Sequence, residues 1–272
     1  MKRIHRKKFE NFVLHELDGQ IQSIFLVEYP EAILLLDSGC KCDAIGIRDF
    51  ISLTLHRPLS DLKTCVVSHM HPDHAGGALS LRKYTGCQLV AQAEVDRWYR
   101  GIGGFFQHKV DTYLAWWVSR KRKRQKRRLI YPRAIRPDVF VQDGDIIPGF
   151  PEWRAIHTPG HTSHDICISH SETGLLYVGD VMVRIKEKLL PPFPVTLPKV
   201  MCESLSKIEQ LEPTHIMMAH GGILNLQQQP ISFDDLCKKV FMAKGLTFRF
   251  LGLWTYLNSE IRKAKRRKWD YH

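Results

Sequence analysis

Residues 68–77 read SHMHPDHAGG, so His69, His71, Asp73 and His74 fall within six positions of one another. Packing explains three imidazoles and a carboxylate at that spacing poorly, whereas both groups suit a zinc-like cation. The competing reading is a surface loop that happens to be rich in histidine. It is weakened because the theme recurs downstream. In HTPGHT, residues 157–162, the turn pair Pro159-Gly160 presents His161 just after the strand-like PEWRAI. Asp180 ends the β-like run LLYVG, His220 ends THIMMA, and Asp37 follows ILLL. Thus Asp37, His69, His161, Asp180 and His220 each stand directly after a β-run. Strand ends of one sheet can converge on a point, which a site with many ligands requires.

The elements that must position these residues are legible as runs and turns. CVV before Ser68 reads as a buried strand and AGGALSLRKY as the start of a helix. Residues 9–36 give two or three strands with YPEA as a turn, and 63–68 and 87–91 give two more. VFVQDGDIIPG, WRAIH, DICISH and LLYVG follow as strands, with DG and SETG as turns. Residues 198–211 read as a helix and 214–219 as a final strand. The class is α/β, with a strand-rich middle and helices toward the end.

Five segments, LLLDSG, HMHPDH (69–74), PGHT (159–162), VGD (178–180) and AHG (219–221), occur in this order between residues 37 and 220. Together they resemble the metallo-β-lactamase-fold hydrolases, with lactonase- and glyoxalase II-like spelling. The resemblance implies a four-layer αβ/βα sandwich of two mixed sheets with helices on the outer faces. It implies one metal held by His69, His71 and His161, a second by Asp73, His74 and His220, Asp180 bridging both, and Asp37 supporting them from behind. Two divalent ions are expected, zinc first, with iron or manganese as alternatives. A metal-bridging hydroxide would attack an ester, thioester or lactone carbonyl of a small-molecule substrate, including an anionic or lipid-like one. Asp73 and Asp180 take the catalytic roles, Asp73 as ligand and proton shuttle. The alternatives are a phosphodiesterase acting on lipid or nucleic acid, a mononuclear-iron persulfide dioxygenase of the same fold, and a membrane-associated binder without turnover.

The other histidines carry less. His157 could donate to a ligand or be a half-buried strand residue, and His164, with Asp165 beside it, could line the pocket or bond within its turn. His170, beside SETG, reads as surface, and His5, His15, His56, His108, His215 and His272 carry no usable signal. Cys40 and Cys42 form a pair that no second thiol pair completes into a metal site. Seven cysteines without framework spacing point to reduced thiols and a cytoplasmic setting, and no secretory signal or run of eighteen apolar residues is expected.

The net charge of +12 is concentrated. Residues 2–8 hold five Lys/Arg, 120–128 hold eight and 262–268 hold six, nineteen with no acid among them, which leaves 12 − 19 = −7 for the rest. Such blocks suit anionic surfaces, and the first reads as a solvated tail. The middle block follows GIGGFFQHKVDTYLAWWVS. There Phe105, Phe106, Val110, Tyr113, Trp116 and Trp117 share one sector of a helix, while Gln107, His108, Asp111, Thr112 and Ser119 lie mostly opposite. Residues 101–135 therefore read as an insertion within a single domain, 1–272. Segment 101–130 is a candidate for contact with an anionic membrane, peripheral at the inner surface, or else a lid or homodimer contact; nucleic acid ranks lower. Residues 231–272 read as a helical extension, with Ser232 and Asp235 opening a helix whose stripe Leu236, Val240, Ala243, Thr247, Phe250, Trp254, Leu257 and Ile261 breaks near Gly245.

Overall fold

The computed structural model describes residues 1–242 and 258–267. A seven-stranded sheet runs in sequence order through β1 (Arg3–Lys8), β2 (Val13–Asp18), β3 (Ser23–Glu28), β4 (Ile33–Leu36), β5 (Leu62–Val67), β6 (Gln88–Gln92) and β7 (Val139–Val141). The first four strands pair antiparallel, and β4 to β7 pair parallel. A six-stranded sheet is built from β8 (Ile146–Ile147), β9 (Phe150–His157), β10 (Ile166–His170), β11 (Leu175–Tyr177), β14 (His215–Met218) and β15 (Gly222–Asn225). Its β11 and β14 are parallel. The hairpin of β12 (Val183–Ile185) and β13 (Lys188–Leu190) stands beside it.

Alternation of side chains along each strand fixes the layers. On β4, Ile33 and Leu35 face α1 (Asp43–Asp49) and α2 (Ala78–Thr85), while Leu34 and Leu36 meet Trp153, Ile168 and Tyr177 of the other sheet. The run is apolar on both faces because both are covered. The outer face of the second sheet buries Ile216 and Met218 against α4 (Pro198–Gln210) and α5 (Phe233–Phe241) through Met201, Leu205, Ile208 and Leu236. This is the expected α/β/β/α sandwich.

Several expectations change. The basic block at residues 2–8 is not a tail but β1, an edge strand. Its exposed cations discourage pairing with another chain's edge. His170 is buried between Phe12 and Trp153 rather than on the surface. The cysteines are not all reduced: Cys202 and Cys237, 35 residues apart, form a disulfide between α4 and α5, leaving five free thiols. Ser232 caps α5 as expected, its Oγ accepting from the Asp235 N–H at 3.1 Å. The stripe between Ala243 and Leu257 lies outside the described residues, and Ile261 is buried on α6 (Ser259–Arg266).

The segment after β6 folds as α3 (Gly101–Lys121), the helix the sequence predicts, but its buried face is the polar one. Gly104, Gln107, His108, Asp111, Ala115 and Ser119 are buried, while Ile102, Phe105, Phe106, Tyr113 and Trp117 are exposed. Specific bonds hold the polar face inward. Gln20 Nε2 donates to Ser119 Oγ at 2.8 Å, and His108 Nε2 lies 3.0 Å from the Tyr131 carbonyl oxygen. Among the described residues no helix is long and apolar enough to cross a membrane.

Candidate metal centre

All the candidate residues lie at C-terminal strand ends: Asp37 after β4, His69 to His74 after β5, His161 after β9, Asp180 after β11 and His220 after β14. Backbone bonds stitch the two sheets together there, with the Ile166 N–H to the Ser68 carbonyl at 3.2 Å and the Ser23 N–H to the Ala219 carbonyl at 2.8 Å. Close packing holds the loop after β5. A Cβ on Gly76 would stand 2.1 Å from the Pro72 carbonyl oxygen, and one on Gly77 would stand 2.4 Å from that of Ser38. The glycines of HAGG thus let the start of α2 press against the loop that carries Asp37.

Three nitrogens converge first. His71 Nδ1 lies 3.0 Å from His69 Nε2 and 2.8 Å from His161 Nε2. Their partners fix which nitrogens carry protons. The Pro194 carbonyl, 2.6 Å from His161 Nδ1, can only accept. Ser68 Oγ, which donates to Asp37, accepts from His69 Nδ1 at 3.1 Å. His71 Nε2 faces Asp111 Oδ2 at 3.6 Å. The lone pairs of His69 and His161 Nε2 therefore point into the cluster, where His71 Nδ1 meets both. Metal–nitrogen bonds of about 2.0–2.1 Å in a tetrahedron would set them about 3.3 Å apart, close to the spacing seen.

The second cluster adjoins the first. His220 Nε2 is 3.1 Å from Asp73 Oδ2, and His74 Nε2 is 3.7 Å from the same oxygen. Asp180 stands between the clusters, with Oδ1 3.4 Å from His74 Nε2 and 3.6 Å from His220 Nε2, and Oδ2 3.7 Å from His161 Nε2. Ligand atoms within each of three overlapping groups, His69/His71/His161, His69/His74/Asp180 and Asp73/His74/His220, lie within 4.8 Å of one another. His74 Nε2 and Asp180 Oδ1 are buried with no hydrogen-bond partner. A buried lone pair aimed at carboxylates is costly unless a cation lies between, so the residues present fit divalent metal ions.

The electrostatics divide the site. Burial, reinforced by neighbouring imidazoles, drives His69 and His71 well below the ordinary histidine range. For His74 and His220 burial acts the same way, but Asp180 and the other nearby carboxylates outweigh it and raise both. Burial would raise Asp73 and Asp180; their histidine neighbours instead hold both below the usual carboxylate range.

Asp37 is a hub behind the ligands. Its Oδ1 accepts from the Ser68 N–H at 2.7 Å. Its Oδ2 accepts from Ser68 Oγ at 2.7 Å, His74 Nδ1 at 2.6 Å and Tyr177 OH at 2.5 Å. Its φ of 61° is left-handed, a conformation that Asp tolerates better than most residues. His157 does its bonding in the loop that bears His161, with Nε2 3.2 Å from the Ser163 carbonyl. His164 is buried, its pKa pushed by burial down to about 3, and it accepts from the Met70 N–H at 3.1 Å, tying that loop to the His69–His71 segment.

Sequence reasoning missed one residue of consequence. Asp111, on the buried face of α3, brings its carboxylate to the far side of His71. Tyr99 OH and Gln107 Nε2 each donate to it at 2.7 Å, and Tyr131 OH lies 3.0 Å from Tyr99 OH and 2.8 Å from the Met70 carbonyl. Burial pushes the Asp111 pKa up to about 7. A cavity of about 1610 Å³ opens on Asp180 and His220, and its walls include the cations Lys7, Lys121, Arg122 and Arg184.

The sequence profile of the metallo-beta-lactamase superfamily matches residues 17–220. Acyl-coenzyme A thioesterase MBLAC2 of Gallus gallus is 28% identical over 250 residues, 82% of each chain. The Bos taurus protein of that name is 27% identical over 173 residues, covering 60% of this chain, which spans 59% of that relative's length. In fold, a metallo-beta-lactamase superfamily protein from Sulfolobus tokodaii superposes with a TM-score of 0.60 at 18% identity, covering 92% of this chain and 98% of that one. The strand-end cluster, the sandwich around it and the extent of the profile agree, and this chain belongs to the metallo-beta-lactamase superfamily.

Proposed function

We propose that this chain is a metal-dependent hydrolase with two divalent ions that cleaves thioesters carrying an anionic group. His69, His71 and His161 would hold one ion and Asp73, His74 and His220 the other, with Asp180 supplying negative charge between two cations that otherwise repel. The nitrogen and oxygen donors suit zinc. Ions bound there lower the pKa of a coordinated water and polarise a carbonyl.

The chain's own residues do the rest. Asp73, whose Oδ2 is 3.1 Å from His220 Nε2, is held ionised, so it can take the proton of an attacking water and pass it to the leaving thiolate. Asp37 and the Pro194 carbonyl fix the proton on the nitrogens of His74 and His161 that face away from the cluster, and the Asp111 carboxylate lies 3.6 Å from the corresponding nitrogen of His71. Lys7, Lys121, Arg122 and Arg184 would hold the anionic part of the substrate and aim its acyl carbon at Asp180 and His220. The observation that carries the reading is a pair of adjoining ligand clusters whose Asp180 and His220 open on a cation-walled cavity. The thioesterase names of the relatives agree with it.

The test is chelation, reloading with zinc, and a screen of acyl-coenzyme A, simple esters, lactones and phosphodiesters. The acyl-coenzyme A is expected to turn over fastest, and His71→Ala to abolish turnover while the chain stays folded. Preferential phosphodiester cleavage, or one iron per chain with oxygen consumption, would overturn the proposal.

A further inference from the structure

Helix α3 turns its aromatic side outward. At about 100° per residue, Ile102, Phe105, Phe106, Lys109, Tyr113, Trp116, Trp117 and Arg120 fall in one sector about 120° wide. Ile102 is 80% exposed, Tyr113 60%, Phe106 49%, Trp117 48% and Phe105 42%. Scattered exposed apolar residues are ordinary, but a contiguous stripe of large ones marks a contact surface.

The charge around the stripe indicates what covers it. Residues 101–128 carry nine Lys/Arg and a single acid, Asp111, a net of +8, and Asp111 is buried on the opposite face. Cations sit against the aromatic rings: Lys109 Nζ is 5.3 Å from the Phe105 ring centre, Arg120 Cζ 4.8 Å from that of Trp116, and Lys121 Nζ 5.3 Å from that of Trp117. Past the helix, Lys123, Lys126, Arg127 and Arg128 are exposed. In a contact between two copies, two such cationic faces would be buried against each other, with no acid on the face to compensate. Anionic headgroups supply the missing charge, while aromatic rings are at home at the level of the headgroups.

The geometry points to α3 as an interfacial helix whose outer face docks on an anionic phospholipid surface, with Phe105, Phe106, Tyr113 and Trp117 entering the headgroup layer and the exposed Lys123, Lys126, Arg127 and Arg128 on its phosphates. The C-terminal end of the same helix contributes Trp117, Lys121 and Arg122 to the wall of the cavity that reaches Asp180 and His220. Docking would therefore set the cavity mouth at the lipid surface. The inner face of α3 is fixed by Asp111, Gln107 and Ser119, so the aromatic stripe is presented by an already folded helix.

The experiment is co-sedimentation of the full chain with phosphatidylcholine vesicles, with and without about 30 mol% phosphatidylserine. The wild type should pellet with the anionic vesicles at least about tenfold more tightly than with the neutral ones, and added salt should weaken that binding. F105S/F106S/Y113S and, separately, K126Q/R127Q/R128Q should each weaken binding about tenfold or more. Both sets lie outside the cluster and the cavity wall, so melting temperature and hydrolysis of a short, soluble thioester should stay unchanged. Equal pelleting with neutral vesicles, or wild-type affinity in both variants, overturns the inference. So does a wild-type dimer in sedimentation velocity that F105S/F106S/Y113S dissolves without any vesicle binding.

Discussion

Replacing Asp111 by Asn tests whether α3 reaches into the metal centre. The Asp111 carboxylate stands 3.6 Å from His71 Nε2, the nitrogen opposite the one that faces the cluster. With Asp111 ionised, which needs a pH above about 7, a unit charge pair at that distance is worth about 4–5 kcal/mol at an effective dielectric near 20. An imidazole bound to a cation carries only part of that charge, so less than half the value applies. That limit overlaps all but the top of the roughly ten- to hundredfold loss, about 1.4–2.7 kcal/mol, typical for removing a partner behind a metal-binding histidine. The fold should survive the change. The Asn carbonyl can accept from Tyr99, and Gln107, whose Oε1 is buried without a partner, can rotate its amide to accept from the new NH₂. Competition between the chelated protein and a coloured chelator for zinc reads the affinity directly. D111N is expected to bind zinc about ten- to hundredfold more weakly at an unchanged melting temperature. Zinc affinity within about twofold of wild type would refute the reasoning.

Three other changes probe the frame. Asp37→Asn places an amide donor among four donors, Ser68 N, Ser68 Oγ, His74 Nδ1 and Tyr177 OH, and should cost about 3 kcal/mol in urea unfolding. Gly76→Ala drives a Cβ to 2.1 Å from the Pro72 carbonyl oxygen and 2.8 Å from the Lys41 nitrogen, both backbone atoms, and should cost about 3 kcal/mol. A wild-type melting temperature for G76A would contradict that packing. Burial holds His108 neutral in the fold, with its pKa lowered to about 4, while the unfolded imidazole titrates near 6.5. The unfolded chain therefore takes up that proton first, and stability falls as pH drops from about 6.5 to about 4. His108→Gln should lose less melting temperature than the wild type between about pH 7 and about pH 5; an equal loss would remove His108 from the account.

The candidate cluster was legible in the sequence because its members arrive in short motifs at strand ends, where spacing marks them, and the fold brings them together. His69, His71, Asp73 and His74 share one loop, and His161, Asp180 and His220 each follow an apolar run. The sandwich was implied by the family resemblance that those motifs carry; the order of elements was compatible with it but did not fix it. The direction of α3 was not legible. A helical wheel divides its residues into two faces but cannot say which faces in. Gln107, His108, Asp111 and Ser119 are buried because Tyr99, Tyr131, Gln20 and His71 come from elsewhere to satisfy them. Asp111 was hidden for the same reason, since a lone acid on a helix gives no local sign of a histidine forty residues upstream. The Cys202–Cys237 pair was missed because contact between two helices, not spacing, brings the thiols together. Residues 2–8 read as a tail because their charge masked the strand that β2 pairs with.

The most direct measurement is zinc stoichiometry taken together with thioester turnover on one sample: chelated wild-type protein titrated with zinc, counting bound ions as acyl-coenzyme A hydrolysis is followed. The proposal predicts no turnover in the chelated protein and activity that rises with bound metal and levels off at two ions per chain, one for each proposed ligand cluster. Full turnover in the metal-free chain, or a protein that binds no zinc, would contradict it.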